Sequence, residues 1–107
     1  MINNLMMTMT DSEFKQLNKK LCSIGKAAFV KYLYPELKRN IDISEVEISE
    51  KYPLYAGYSD NARKTRLSNS RSILKNGLGK EALMIIVSSL NLPEEIRDLA
   101  RKYLDEE

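Results

Sequence analysis

Between Asn61 and Lys80 the chain places six positive side chains, Arg63, Lys64, Arg66, Arg71, Lys75 and Lys80, and no negative one. Arginine and lysine at that density are the side chains that neutralise phosphates, and the Asn and Ser residues among them can reach phosphates and base edges. Just upstream the pattern inverts: Asp42 to Glu50 holds four acidic residues and no basic one. Covalent chemistry has far less to draw on. No histidine occurs, which removes Ser-His-Asp and Cys-His nucleophile systems, histidine general bases and histidine metal ligands. Cys22 is the only cysteine, so neither a disulfide framework nor a cysteine zinc site is expected. The four glycines, Gly25, Gly57, Gly77 and Gly79, match neither nucleotide-binding fingerprint. Carboxylates remain, but in helical, solvent-facing contexts. The expectation is a protein that is not an enzyme, with no catalytic residue, metal or cofactor.

The basic segment needs a helix to give its charges a direction. Ser59 or Asp60 can cap one that runs to about Lys75, and Asn76-Gly77 closes it in the left-handed fashion. Successive residues turn about 100°, which puts Ala62, Leu67, Ile73 and Leu74 on the core side. Lys64, Arg71 and Lys75 then share a wedge of about 40° on the far side, with Asn61 and Ser68 beside them. Arg63 and Arg66 fall toward the apolar side, where Glu45, Glu47 or Glu50 could pair with them.

Ahead of this helix, Ser44 and Glu47 form a capping box that starts a short helix, Glu45 to about Lys51, which Pro53 stops. Ile43 and Ile48 stand at hydrophobic-staple positions. Tyr52 to Ser59 reads as a turn with aromatic anchors. Tyr52, Tyr55 and Tyr58 could stack on bases, but tyrosines so spaced more often pack against neighbouring helices. A short capped helix, a turn and a longer basic helix are in the order of a helix-turn-helix unit, whose second helix enters the major groove. The groove-facing set would be Asn61, Lys64, Ser68, Arg71 and Lys75. The resemblance is one of element order and charge placement over Ser44 to Lys75. The turn is longer than the usual three or four residues.

The remaining elements are also helical. Thr10 and Glu13 make a second capping box, followed by Phe14, Leu17, Leu21, Ile24 and Ala28 at helical spacing. That helix is expected to reach Tyr34, with a kink or stop at Pro35 and a short restart through Arg39. Cys22 sits at the edge of its apolar stripe. Lys80 to Leu90 is apolar almost all round and predicts a central buried helix. Pro93 opens the last one, with Ile96, Leu99, Ala100, Tyr103 and Leu104 on one face. Residues 1–10 read as a disordered tail, and 11–107 as one all-α domain, a compact bundle of about five helices. With 107 residues and 43% hydrophobic content, one modest core is affordable.

No stretch approaches the roughly 18 apolar residues of a membrane span, nor is there a signal peptide, so a cytoplasmic protein is expected. The reading reached is a regulatory protein that binds duplex DNA through the helix over residues 60–75. The alternative is a small adaptor or inhibitor that binds a partner protein through its basic face or an apolar helix edge. Met84 and Ile85, off the main face of their helix, supply a candidate homodimer seam.

Overall fold

A computed structural model describes residues 9–106, so most of the expected N-terminal tail, and the terminal Glu107, lie outside the described residues. Thr10 caps the first helix, α1 (Asp11–Ile24): its hydroxyl accepts from the Glu13 N–H at 3.0 Å, and the Glu13 carboxylate accepts from the Thr10 N–H at 3.0 Å. Leu17, Leu21 and Ile24 face inward, and Cys22 is exposed rather than tucked beside them. The helix does not reach Tyr34. It ends at Gly25, whose φ of 88° lies in the left-handed region that only glycine enters at low cost.

The chain then re-enters helix as α2 (Lys26–Ala28), widens into a π turn at Phe29–Leu33, and continues as α3 (Tyr34–Arg39). Pro35 accounts for the wide turn. It has no N–H to donate to the preceding turn, and its ring would crowd the carbonyl four residues back. The Tyr34 N–H instead donates to the Phe29 carbonyl, five residues back, and α3 follows as the expected restart.

Ser44 and Glu47 form the expected capping box at the start of α4 (Glu45–Lys51), with the staple residues Ile43 and Ile48 buried beside it. The aromatic turn contains a helix of its own, α5 (Pro53–Ala56), and Ser59 caps α6 (Asp60–Lys75) by accepting from the Ala62 N–H. Gly77, at φ 74°, closes α6: the Leu78 N–H reaches the Ile73 carbonyl and the Gly77 N–H the Leu74 carbonyl. Then come α7 (Gly79–Val87) and α8 (Glu94–Asp105), the latter with Pro93 immediately ahead of it. All described elements are helical.

Packing places α1 along α6 and α7 against α8, with the π turn touching both α6 and α8. The core is shared by the α2–π–α3 segment, where Phe29, Val30 and Leu33 have no exposed surface, and by the expected buried helix after Lys80, where Ala82, Leu83 and Ile86 have none either. That helix stops at Val87, and Leu90 beyond it is 79% exposed. Covered by α8 and α1, α7 buries Ile85 to 6% exposure and leaves Met84 partly buried. The Met84–Ile85 dimer seam is corrected accordingly, because neighbours in the same chain already cover Ile85. No described helix is long and apolar enough to cross a membrane.

Candidate nucleic-acid interface

Helix α6 buries Leu67, Ser70 and Ile73 and turns Asn61, Lys64, Thr65, Ser68 and Lys75 to solvent. Four of the five expected groove-facing residues thus share one exposed stripe. Lys64 stands 3.4 Å from Asp60 one turn back, both of them about two-thirds exposed. An exposed pair of that kind is worth little and exchanges readily for another anion. Lys20 of α1 extends the stripe sideways by donating to the Ser72 hydroxyl at 2.9 Å.

Arg71 is the exception. Its Nε donates to the Ile41 carbonyl at 2.7 Å, and Nη2 donates to the Ile43 carbonyl. The wheel placed its Cβ correctly, but a guanidinium is long and carries several donors. The connection between α3 and α4 runs beside it with carbonyls that no helix satisfies. Arg71 therefore ties that connection to α6 and leaves the solvent-facing set.

The other two arginines also work inward. Arg63 donates to Glu45 at 2.9 Å, as its position predicted, and to Asp60 at 3.0 Å. It also reaches the carbonyls of Ala56 and Tyr58. Arg66 takes no carboxylate among the described residues, where a partner on α4 was expected. Its Nη1 donates to the Ile24 carbonyl, an acceptor left over at the end of α1, and its guanidinium lies 4.0 Å from the centre of the Tyr58 ring. A Cβ at Gly25 would come within 2.9 Å of that same Nη1. Gly25→Ala is therefore expected to cost about 1–2 kcal/mol through the left-handed backbone alone, and more if Arg66 is displaced. Chemical denaturation would check it. An unchanged midpoint would mean that Gly25 does not hold the left-handed conformation, and a loss of no more than the backbone cost would mean that Arg66 is not displaced.

The tyrosines are taken up by packing. Tyr55 has no exposed surface, and its hydroxyl donates to the Arg63 carbonyl at 2.7 Å. Burial, with Glu45 nearby, pushes its phenol up to about 12. The Tyr32 ring lies against Tyr52 and Tyr55, and Tyr58 lies edge-on to Tyr55. Tyr55 therefore has no face open to a base, and Tyr52 and Tyr58 are partly buried by these contacts.

One cluster has no counterpart in the sequence reading. Glu36 is 5% exposed, and its Oε2 accepts from Arg39 at 2.6 Å, from Lys51 at 2.8 Å and from the Tyr52 hydroxyl at 2.7 Å. Burial alone would raise its carboxyl. The bonds from Lys51, Tyr52 and Arg39 overcome that and hold it at about 2. Burial and the Glu36 carboxylate in turn push the Tyr52 phenol upward. The cluster joins α3, α4 and the start of α5. Part of it was available as an i, i+3 pair, Glu36 and Arg39, on one helical turn.

Comparison with known proteins finds no family model, no curated protein and no solved structure that matches the chain. What stands is an all-helical protein with a basic, solvent-facing stripe on its longest described helix.

Proposed function

We propose that the protein binds duplex DNA, in a regulatory role, through the exposed stripe of α6. One observation carries the reading: Asn61, Lys64, Ser68 and Lys75 share a solvent-facing stripe in a stretch, 61–80, that has no carboxylate. These are the side-chain types that contact phosphates and base edges. The order α4, α5, α6 is consistent with a helix-turn-helix arrangement whose last helix meets the groove. With Arg71 committed inward, Lys64 and Lys75 are the cations of the stripe.

The test is salt dependence. Each lysine–phosphate contact adds roughly 0.9 to the log–log slope of affinity against salt. Lys64→Gln/Lys75→Gln is therefore expected to flatten the slope by about two units while helicity stays the same. No binding of the wild type to duplex or single-stranded DNA at low salt would end this reading.

A second reading, a helical adaptor that binds a partner protein, is favoured by one surface. Val46 is 60% and Leu54 70% exposed, and Val46 lines a shallow groove with Ala56 and Glu50. An apolar, acid-edged surface of this kind suits a protein partner better than a nucleic acid.

A further inference from the structure

We infer that a second phosphate-binding site lies at the far end of α6, in the groove it makes with α3 and the start of α7. Resting on the proposed role of α6, we assign its occupant as a backbone phosphate of the same duplex.

The groove has a volume of about 630 Å³, and three lysines from three separate elements line it: Lys38 of α3, Lys75 of α6 and Lys80 of α7. Glu81 is the one carboxylate on its wall. Leu37 and Leu74 line it as well, so part of its lining is apolar. Charges of one sign gathered in a cleft with low-dielectric walls focus their field on a counter-ion. Lys75 and Lys80 have no ion-pair partner among the described residues, whereas Lys51 and Lys64 each stand against a carboxylate. Helix formation alone does not require three cations to converge from different elements, since each of these segments could have carried its lysine on another face. What the convergence does supply is a high local affinity for a polyanion.

The geometry links this groove to the stripe. Lys75 belongs to both, at the C-terminal end of α6, and Lys64 lies eleven residues earlier, roughly 17 Å along the helix axis. The two ends therefore take different phosphates. A strand that follows the stripe from Asn61 reaches the groove at Lys75.

The test uses the whole chain and variants outside the stripe, Lys38→Gln/Lys80→Gln, with Lys38→Arg/Lys80→Arg as the charge-conserving partner. Duplex affinity is measured across salt concentrations, and amide shifts of Gly79 and Lys80 are followed as inorganic tripolyphosphate is added. The expected result is a salt slope flatter by roughly one in the Gln pair, for the one phosphate the groove holds, recovered in the Arg pair, with tripolyphosphate shifts in the wild type that vanish in the Gln pair. If the wild type binds duplex and the Gln pair keeps its slope, the groove is no phosphate site and the stripe still stands. If the wild type ignores duplex yet shows the tripolyphosphate shifts, the groove binds free phosphate compounds and the assignment to a DNA backbone is overturned. Absence of both responses overturns the groove and the stripe together.

Discussion

Glu36→Gln is expected to lower the stability of the protein by about 2–3 kcal/mol and to remove part of its acid sensitivity. The carboxylate is buried and accepts from Arg39, Lys51 and Tyr52, which hold it at about 2 against an ordinary 4.5. Converted in full, that shift corresponds to about 3 kcal/mol. Arg39 and Lys51 are half in water, which screens part of it. The sign follows from the direction of the shift. A depressed carboxyl stabilises the fold fully above about 4.5, and the contribution is lost as the pH falls from there toward about 2. The wild-type melting temperature should thus drop more steeply than that of Glu36→Gln over this window, and the two curves should converge at its acid end. Parallel curves would show that the depressed Glu36 carboxyl does not contribute to the acid sensitivity of the fold.

Arg71→Ala is expected to cost about 2–3 kcal/mol, because it leaves the Ile41 and Ile43 carbonyls without a charged donor. In a domain of this size that lowers the melting temperature by roughly 10 °C or more. Lys75→Ala, on the exposed stripe, should stay within about 0.5 kcal/mol. Arg71→Lys should recover little, since a single ammonium cannot present two donors in the fork that spans the two carbonyls. Thermal denaturation of the three variants decides the matter. Equal melting of Arg71→Ala and wild type would put the guanidinium back in solvent and return it to the DNA-facing set.

These two residues show where sequence reasoning stops. Features set within a few residues were legible: the Thr10 and Ser44 boxes, the Ser59 cap, the closure at Gly77 and the last helix after Pro93 all form where local hydrogen bonding requires them. The stripe Asn61, Lys64, Ser68, Lys75 was legible for the same reason, since a helix converts spacing directly into direction. Partners distant in the chain were not. Arg71 meets Ile41 thirty residues away, and Arg66 meets Ile24 forty-two away, through side chains whose reach a wheel does not represent. Gly25 was a weaker signal than the apolar residues on either side of it, so two helices read as one. The apolar run after Lys80 is buried as its composition implied, but its end was not legible: the helix stops at Val87 and Leu90 is exposed. The ligand of the stripe was not legible, because a charged solvated stripe and a ligand-binding stripe carry the same residue types.

The π turn at Phe29–Leu33 fits one more residue into a helical turn than an α-helix would. Everything downstream is thereby rotated by about 100° relative to an unbroken helix. The rotation is what aims the carboxylate of Glu36 at Lys51 and Tyr52 while Tyr34 and Leu37 face the core. The segment from Lys26 to Arg39 therefore works as a phase adjuster: its residue count is as much a specification as its residue types. A conservative side-chain exchange within it leaves that phase intact, whereas loss of a single residue would turn Glu36, with Arg39, away from Lys51 and Tyr52 and bring a different residue of α3 into its place.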